Sequence, residues 1–433
     1  MMILKEGDTG SLVQTMQLAL KRSGHSPGAT DGIFGSKTKA ATIGFQQSNN
    51  LVPDGIIGRL TFEKLRKFLT GYTTYVIKPG DTINKIAAEF NSTEALIENA
   101  NPSIEYDNLK IGSHIFAPFN LSLVDTTVTY NSLLTELICE GLAVRFPFVS
   151  LSVEGYSIMK NPLPMLKMGR GPKKVFVNAS HHANEWITTP AALKYVEDFA
   201  VTVVEATKID GIFSEYTFDK TTLYVMPLVN PDGVNLVTGA LTPGDKFYNT
   251  ALNFAENYPE IPFPSGWKAN IKGVDLNLNY PAKWETAKEI KYSLGFTKPG
   301  PRDFVGEYPL SEPESKTVYD STKKYDFDIT ISLHTQGEEI YWKFEGYETP
   351  AAKQLGERMA WASGYSLKDT PYNSGFAGYK DWFIMTYKRP GYTVEAGLGR
   401  NPLPLSQFES IYHAVSEIIS EALRPAINEP RST

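Results

Sequence analysis

The chain has 433 residues, which is more than one ordinary domain holds, so about two to four domains are expected. An apolar fraction of 42% with 12% aromatic residues can build hydrophobic cores and argues against a disordered chain. The net charge of −6 lacks the basic excess that nucleic-acid binding requires. A single cysteine, Cys139, excludes an intramolecular disulfide and a cysteine-rich zinc finger, and its helix-like surroundings predict a buried thiol.

The sequence shows no segment that would enter a membrane. No apolar run reaches the roughly 18 residues that a transmembrane helix requires. The N-terminal residues lack the apolar core, basic flank and small-residue cleavage site of a signal peptide. We therefore predict a chain that is cytoplasmic at synthesis and does not insert into membranes.

The first predicted domain, residues 1–70, contains an internal repeat. Asp-Gly-Ile-Phe-Gly at residues 31–35 recurs as Asp-Gly-Ile-Ile-Gly at residues 54–58. Asp-Gly permits a turn with positive φ, and an apolar residue between the glycines can fill a core. A small all-α bundle is predicted, with helix-like stretches at residues 12–23, 38–47 and 61–68. This segment resembles peptidoglycan-binding domains that carry paired Asp-Gly turns.

The second predicted domain, residues 73–118, has the order strand, helix, helix, strand. The stretches are residues 74–77, 83–90, 93–99 and 114–118. Thr82 follows a Pro-Gly-Asp turn and is a predicted helix N-cap. With Gly-Asp-Thr early and Asn-Ala-Asn-Pro late, this βααβ module resembles a LysM domain. The resemblance implies binding of N-acetylglucosamine-containing glycans; the alternative is a structural module without glycan affinity.

The third predicted domain, residues 125–430, alternates strand-like and helix-like stretches, which is typical of an α/β fold. The predicted central strands are residues 174–179, 222–229, 329–333 and 392–394. The helix-like stretches include residues 190–204, 313–324, 351–363 and 406–423. In open α/β sheets, ligands bind beyond the carboxyl ends of strands. Three polar residues follow predicted strands: His182, His334 and Glu395.

The sequence around His182 and Glu185 indicates a metal site. The two residues are spaced i and i+3, so on a turn or a first helical turn their side chains point the same way. Catalytic zinc sites use three protein ligands and keep a fourth position open for water. His334, far downstream at another strand end, is the candidate third ligand. His181, beside His182, is predicted to support the site or lie at the surface without binding the metal.

Five motifs in order then resemble those of the carboxypeptidase A-like zinc peptidases. They are His-x-x-Glu at 182–185, Asn-Pro-Asp-Gly at 230–233, Gly-Val-Asp-Leu-Asn-x-Asn-Tyr at 273–280, Leu-His at 333–334 and Thr-Val-Glu at 393–395. The resemblance implies a catalytic domain with a central mixed sheet flanked by helices. It also implies one Zn²⁺ per catalytic domain.

The resemblance assigns roles to further residues. Zinc lowers the pKa of a bound water to near 7, and Glu395 would act as general base and then general acid. Lys268 stands where the family has an arginine that stabilises the oxyanion, although a lysine lacks the forked geometry. Tyr372 matches a tyrosine that covers the substrate, with a spacing to the following Lys-Asp-Trp that is one residue longer.

The sequence departs from the family where exopeptidases hold a terminal carboxylate. The Asn-Arg-Asn triplet of those enzymes is replaced by Asn277, Leu278 and Asn279, and the arginine of His-x-Arg-Glu is replaced by Asn184. Leucine carries no charge, so the bidentate carboxylate clamp is absent. The preferred substrate is therefore predicted to be cut internally, or to be recognised through another carboxylate.

Two cations near the predicted site, Lys380 and Arg400, are candidates for binding substrate carboxylates; the alternative is that both are solvated surface charges. The two N-terminal modules resemble wall-glycan binders, so peptidoglycan strands and stem peptides are the predicted partners. This combination resembles γ-D-glutamyl-L-diamino acid endopeptidases. The alternatives are a metallocarboxypeptidase that removes a C-terminal residue and a non-catalytic wall-binding protein. Action on wall material is expected during sporulation, recycling or lysis.

Overall fold

The computed structural model describes residues 3–425 and divides into two compact units, Met1–Leu151 and Ser152–Thr433. Residues 426–430, the end of the predicted catalytic domain, lie outside the described residues. Within the described part of the chain, no helix combines the length and the apolar character needed to cross a membrane.

The first unit begins with three helices, α1 (Ser11–Arg22), α2 (Ser36–Ser48) and α3 (Arg59–Thr70). The two Asp-Gly turns lie before α2 and before α3, and their first glycines, Gly32 and Gly55, have φ of +76° and +72°. Phe34 and Ile57, which lie between the glycines of each repeat, are fully buried. The predicted helical bundle and the core-filling role of the repeat are therefore confirmed.

The βααβ module follows, with β1 (Tyr72–Val76), α4 (Ile83–Glu89), α5 (Glu94–Ala100) and β2 (His114–Pro118). The strands pair antiparallel. Thr82 and Thr93 cap α4 and α5 by accepting hydrogen bonds from backbone N–H groups of the first turn, which would otherwise lack partners. The apolar faces of both helices pack with β1 and β2 in one small core.

Helix α6 (Ser132–Arg145) closes the first unit and packs on α3. Glu140 on α6 accepts a hydrogen bond from Arg66 Nη1 at 3.0 Å and another from Tyr72 Oη at 2.6 Å. Cys139 is buried, as predicted, and burial raises the pKa of its thiol. The predicted catalytic domain begins at residue 125, so its first helix lies in the compact unit that contains the two N-terminal modules.

The second unit is built on an eight-stranded mixed sheet with the strand order β11-β10-β12-β9-β5-β8-β4-β3. Its strands are β3 (Val149–Tyr156), which begins before the division, β4 (Pro162–Gly169), β5 (Lys173–Ala179), β8 (Thr221–Met226), β9 (Ile329–His334), β10 (Glu339–Tyr341), β11 (Ser366–Lys368) and β12 (Gly391–Glu395). A separate hairpin consists of β6 (Lys208–Ile209) and β7 (Ile212–Phe213).

Nine α-helices accompany these strands in the described residues of the second unit. They are α7 (Thr188–Val204), α8 (Ser214–Lys220), α9 (Pro231–Val237), α10 (Lys246–Ala255), α11 (Trp284–Ser293), α12 (Pro313–Tyr325), α13 (Pro350–Ser363), α14 (Tyr379–Tyr387) and α15 (Phe408–Leu423). Helices α7 and α15 contact β5, whereas α14 contacts β9 and β12, so helices flank the sheet. The predicted mixed sheet with flanking helices is confirmed.

The centre of the sheet is parallel, which places several strand ends at one edge. Strands β8, β5, β9 and β12 run in the same direction, and their residues are almost all buried. Strands covered on both sides are rich in apolar residues, as these four are. Antiparallel β4 and β10 pair with the outer members of this group. The carboxyl ends of β5, β9 and β12 therefore meet at one edge.

Candidate active site

The three predicted ligands come from two adjacent strand ends. His182 follows β5, and Glu185 ends a short 3₁₀ turn, Ala183–Glu185, directly after it. His334 is the last residue of β9, and β5 and β9 are neighbouring parallel strands. Residues distant in sequence thus meet because the sheet brings the two strands together.

The ligand atoms of these three buried side chains converge. His182 Nδ1 lies 3.0 Å from Glu185 Oε1, and His334 Nδ1 lies 2.8 Å from Glu185 Oε2. The two Nδ1 atoms are 2.9 Å apart. Two imidazole lone pairs would repel each other at this distance unless a proton or a cation lay between them. This convergence, with its two nitrogens and one carboxylate, fits a metal ion of the zinc type.

Neighbouring groups orient the ligands for that task. His182 Nε2 lies 3.0 Å from Asp275 Oδ1; donation to this carboxylate leaves the Nδ1 lone pair for a cation. The backbone N–H of Thr335 donates to Glu185 Oε2 at 3.3 Å, and Asn401 Nδ2 lies 3.4 Å from Glu185 Oε1. The ligand carboxylate is thereby held from two sides.

The charges within the site keep the ligands in their binding forms. Burial opposes ionisation of Glu185, yet His182 and His334 lower the pKa of its carboxyl group well below the ordinary value. Burial also opposes ionisation of Asp275, but His182 and Lys268 lower the pKa of that carboxyl group. Burial lowers the pKa of His334, which favours the neutral imidazole.

His181 is buried next to the ligands but does not converge with them. Its Nε2 lies 2.9 Å from Tyr280 Oη, and its ring stacks near His334 with centroids 5.8 Å apart. Burial lowers the pKa of His181. His181 therefore packs beside the ligands without joining them, and the alternative prediction of a surface position is wrong.

Glu395, the predicted general base, ends β12 directly opposite His334 in the parallel ladder. It lines the same pocket as His182 and Glu185. Burial, together with the neighbouring charge of Glu185, raises the pKa of Glu395 to about 8. A carboxyl group with such a pKa can both accept and release a proton near neutral pH.

Lys268, the predicted oxyanion cation, lies beside this carboxylate cluster and lines the pocket. Burial opposes its charge, but Asp275 and Glu185 raise the pKa of the ammonium group, so it stays protonated. Its backbone N–H donates to Pro301 O at 2.7 Å, which fixes the start of the side chain. Among the described residues, no side chain or carbonyl engages its Nζ atom, so that atom remains available.

The pocket has a volume of about 810 Å³ and is also lined by Asn184, Asn277 and Leu278. The Oδ1 atom of Asn184 is buried and has no hydrogen-bond partner within residues 3–425. Leu278 is 6% exposed and belongs to the core of the domain, so the family's arginine position is here an apolar wall. Asn277 accepts a hydrogen bond from Tyr379 N at 3.0 Å.

Asn279 does not reach the pocket, which corrects its predicted contact with substrate. The side chain is fully buried. Its Nδ2 donates to Val305 O at 3.0 Å and Tyr308 O at 3.2 Å, and its Oδ1 accepts from Ser315 Oγ at 2.7 Å. Its amide is thus used to hold the loop before α12.

The two candidate substrate cations differ in their surroundings. Lys380 lines the pocket but is 4% exposed, and its Nζ meets Asp381 Oδ1 at 2.7 Å, Lys343 O at 2.9 Å and Thr370 Oγ1 at 3.1 Å. Two of these contacts are hydrogen bonds and the third is an ion pair, so the ammonium charge is already engaged within the protein. Arg400 also lines the pocket and is exposed, and no partner of its guanidinium is found in the described part of the chain.

Tyr372, the predicted covering residue, lies at the rim of the pocket. Its side chain is 68% exposed, and its ring packs edge-on against Phe376 with centroids 5.2 Å apart. The flanking residues Pro371 and Ser374 line the pocket, while Tyr372 itself does not. Its covering role stays a prediction.

Three residues near the site were not recognised from the sequence. Asp275 belongs to the predicted Gly-Val-Asp motif, yet its contact with His182 emerges only from the structure. Asn401 and Arg302 also line the pocket. Neither lies in a recognised motif, so no sequence signal marked them.

Comparisons with known proteins agree with this geometry. Residues 136–414 match the zinc carboxypeptidase family, residues 9–65 match a putative peptidoglycan binding domain, and residues 75–118 match a LysM domain. The chain is 39% identical over 283 residues to γ-D-glutamyl-L-diamino acid endopeptidase 1 of Lysinibacillus sphaericus, covering 65% of this chain and 69% of the relative. It is 35% identical over 367 residues to protein YqgT of Bacillus subtilis strain 168, covering 79% and 96%.

Solved structures show the same fold at low identity. Bovine thrombin-activatable fibrinolysis inhibitor, in complex with tick carboxypeptidase inhibitor, superposes with a TM-score of 0.52 at 18% identity, covering 69% of this chain and 97% of that chain. Carboxypeptidase A of Helicoverpa armigera gives a TM-score of 0.50 at 19% identity, covering 78% and 81%. With the family match over residues 136–414 and the convergent His-Glu-His cluster, the chain belongs to the zinc carboxypeptidase family of peptidases.

Proposed function

We propose that the protein is a zinc-dependent endopeptidase that cleaves the γ-D-glutamyl–L-diamino acid bond of peptidoglycan stem peptides. The observation that carries the proposal is the apolar wall formed by Leu278 inside the pocket that also holds His182, Glu185 and Glu395. An enzyme without a guanidinium at that position lacks the bidentate grip on a chain-terminal carboxylate. The endopeptidase name of the Lysinibacillus relative supports the same substrate class.

His182, Glu185 and His334 would hold one Zn²⁺. When bound, this ion acts as a Lewis acid and lowers the pKa of water, which supplies a nucleophile at neutral pH. Asp275 maintains the His182 tautomer that this role needs, because it accepts the Nε2 proton.

Glu395 carries the proton transfers of the reaction. Its carboxylate accepts a proton from the attacking water and returns it to the amine of the leaving diamino acid. Burial and the charge of Glu185 raise the pKa of this carboxyl group to about 8, which strengthens the carboxylate as a base. The positive charge of Zn²⁺ held by the three ligands would lower this pKa.

Lys268 stabilises the charge that develops on the scissile carbonyl oxygen. Its Nζ has no partner among the described residues and remains protonated, so its charge is in place before the reaction begins. Preorganised positive charge of this kind in a partly buried site lowers the barrier without further rearrangement.

The remaining pocket residues would position the substrate. Asn184 offers a buried amide oxygen that lacks a partner within residues 3–425, and Asn277 presents an amide beside Leu278. Arg400 offers an exposed charge at the pocket, and Tyr372 would cover the occupied pocket from the rim. Lys380 would reach a substrate carboxylate only by sharing donors that already bind protein oxygens.

The first unit would keep the enzyme on its polymeric substrate. Its segments match peptidoglycan-binding and LysM domains, which supports binding to wall glycan strands. Action on wall material, with stem peptides and glycan strands as partners, follows from this proposal.

The test is product identification by mass spectrometry. The full-length protein with Zn²⁺ is incubated with the tetrapeptide L-Ala-γ-D-Glu-(diamino acid)-D-Ala, with either meso-diaminopimelate or lysine as the diamino acid. Release of L-Ala-D-Glu is expected, and a chelator should stop it until Zn²⁺ is restored. Release of D-Ala alone would instead establish a carboxypeptidase, the second candidate, for which the exposed guanidinium of Arg400 is the supporting observation.

A further inference from the structure

An arginine that no recognised motif contains lies in the active-site pocket next to Lys268. Arg302 lines the pocket and is 46% exposed. The residue before it, Pro301, accepts hydrogen bonds from the backbone N–H groups of Lys268 at 2.7 Å and Ala269 at 2.9 Å. The positive charge of Arg302 lowers the pKa of Lys268, and the carboxylates of Asp303, Asp275 and Glu185 raise the pKa of the Arg302 guanidinium against the effect of burial. Arg302 therefore lies on the same side of the pocket as the oxyanion cation.

One edge of the Arg302 guanidinium is fixed by a buried network. Its Nε donates to Asp303 Oδ2 at 2.5 Å. Asp303 is 6% exposed, pairs with buried Lys291 at 2.6 Å, and donates its backbone N–H to Asp275 Oδ2 at 3.3 Å. Asp275 is the residue that orients the ligand His182. The position of Arg302 is thereby tied to the metal-ligand cluster.

The other edge of the guanidinium is free. Within residues 3–425, no hydrogen bond engages either terminal nitrogen of Arg302. A guanidinium fixed through Nε presents its terminal groups as a rigid fork that matches a carboxylate. The charge of Lys380 is already paired with Asp381, and Arg400 has no anchor in the described residues. Arg302 alone among these three combines an anchor with free donors.

We propose that Arg302 is the specificity-determining residue that binds the α-carboxylate of the γ-linked D-glutamate on the acyl side of the scissile bond. This inference rests on the proposed function. Lys268 marks the position of the carbonyl oxygen, which belongs to the acyl residue. In a γ-linked D-glutamate the α-carboxylate branches off that same residue, a short aliphatic chain from the carbonyl. The substrate thus carries its α-carboxylate close to the carbonyl oxygen at Lys268, where Arg302 can bind it.

The position of Arg302 also accounts for the lack of a residue that binds a terminal carboxylate. An exopeptidase needs a cation on the leaving-group side, where Leu278 forms an apolar wall. Here the free fork lies on the acyl side, near Lys268. The enzyme would therefore select its substrate by the residue before the scissile bond, and the chain beyond the diamino acid would matter less.

A matched pair of substrates tests this inference. Kinetics are measured for full-length enzyme with Zn²⁺ on L-Ala-γ-D-Glu-(diamino acid)-D-Ala and on the analogue whose D-glutamate α-carboxylate is a carboxamide. Two charge-assisted hydrogen bonds should give the wild-type enzyme about 100-fold higher kcat/KM on the free acid. Arg302→Gln should lower kcat/KM on the free acid by about the same factor and change the carboxamide less than about 3-fold, which removes the preference. Arg302→Lys should restore part of it.

Arg400→Gln is the matched control, since Arg400 is the other exposed guanidinium of the pocket, and it should keep the preference of the wild-type enzyme. Binding of uncleaved free acid to Glu395→Gln, with and without Arg302→Gln, gives a readout independent of turnover and should weaken about 100-fold. Cleavage of the expected bond at equal rates on both substrates would overturn the inference while leaving the proposed function intact. Equal losses on both substrates in Arg302→Gln would also overturn it. A wild-type enzyme that releases only D-Ala would instead contradict the proposed function.

Discussion

The paired Asp-Gly turns of the first unit and the pocket of the second unit use buried polar groups in opposite ways. In the turns, Gln17 donates to Asp31 Oδ1 at 3.1 Å and Ile33 O at 3.0 Å, and accepts from Gly32 N at 2.8 Å. Gln46 repeats the pattern on the second turn, donating to Asp54 Oδ1 at 2.8 Å and Ile56 O at 2.9 Å, and accepting from Gly55 N at 2.9 Å.

The pocket leaves polar atoms open. Asn184 Oδ1 and His334 Nε2 are buried without a hydrogen-bond partner within residues 3–425, and the ammonium of Lys268 is likewise unengaged there. A buried polar group without a partner costs about 1–3 kcal/mol, so a site retains such groups at the expense of stability. We infer that the turns serve the fold and that the pocket serves a ligand. Substitutions in the turns should therefore change stability, and substitutions in the pocket should change activity.

The largest expected effect is that of Glu395→Gln in the pocket. Glutamine is nearly isosteric but cannot accept the proton of the attacking water, so kcat should fall about 10³-fold or more. The melting temperature should not fall, because the substitution removes a buried charge next to Glu185. Steady-state kinetics and thermal unfolding measure the two quantities. Glu260→Gln, an exposed carboxylate of the same pocket, is the control and should retain activity; retained activity in Glu395→Gln would show that another base acts.

Lys268→Ala should have the next largest effect. Loss of a preorganised oxyanion donor lowers kcat by about 10²–10³-fold. The change should appear in kcat more than in KM, because the charge that Lys268 stabilises develops in the transition state. Lys272→Ala, an exposed lysine in the same segment, should leave both constants unchanged. A rise in KM with unchanged kcat would mean that Lys268 binds the ground state only.

Gln46→Ala should show the opposite behaviour to the pocket variants. The loss of its hydrogen bonds leaves the buried N–H of Gly55 unpaired, so the free energy of unfolding of the first unit should fall by about 2–3 kcal/mol. Activity on soluble peptides should be unchanged. Hydrogen exchange of α1, α2 and α3 as a function of denaturant, measured by mass spectrometry, tests the first effect. Gln17→Ala should lower the free energy of unfolding by a similar amount, whereas Gln47→Ala, at an exposed position, should leave it almost unchanged. An unchanged stability of Gln46→Ala would contradict the assignment of the turns to the stability of the fold.

Glu314 is buried and hydrogen-bonded like the polar groups of the turns, but its pKa is shifted like that of Glu395 in the pocket. It should make the free energy of unfolding depend on pH. It accepts hydrogen bonds from Ile158 N at 3.2 Å and Asn270 Nδ2 at 3.4 Å, yet burial and the nearby Asp232 raise its pKa from 4.5 to about 8. Between these values the folded state holds a proton that the unfolded state has released, so stability falls as pH rises from 5 to 8.

Glu314→Gln should reduce this dependence by about 3 kcal/mol between pH 5 and pH 8, because glutamine keeps one acceptor oxygen and removes the titrating proton. Unfolding free energies at the two pH values, compared with those of the wild-type protein, measure the change. An unchanged slope would mean that Asp232 holds the buried proton instead.

Much of the fold was predictable because its signals are local. The repeat, the βααβ order and the four apolar central strands follow from turn chemistry and from runs of apolar residues. The strands outside this central group, β3, β4, β10 and β11, were missed: β10 and β11 have only three residues each, and the partly exposed β3 carries no continuous apolar run. Short edge strands depend on pairing with a neighbour, which is a tertiary property.

The active site likewise divides into features that local sequence patterns predicted and features that depend on tertiary contacts. The types and order of residues in the motifs predicted the ligands His182, Glu185 and His334, together with Glu395 and Lys268. The structure places four of them in the lining of one pocket and His334 directly beside His182, Glu185 and Glu395. It excluded Asn279, whose amide is used within the protein, and it added Asp275, Asn401 and Arg302. No local sequence pattern distinguishes a polar group that is available to a ligand from one that already has hydrogen-bond partners in the protein.

The sequence by itself therefore determined the family, the order of the domains and the chemical groups of the site, because these depend on residue types in short patterns. The tertiary structure decided which charges are available to a substrate. Lys380 and Arg302 carry the same charge, but Lys380 is engaged by two hydrogen bonds and an ion pair, whereas Arg302 is hydrogen-bonded through one edge only. Hydrogen-bond partners come from distant segments, so only the folded chain shows which groups remain unpaired.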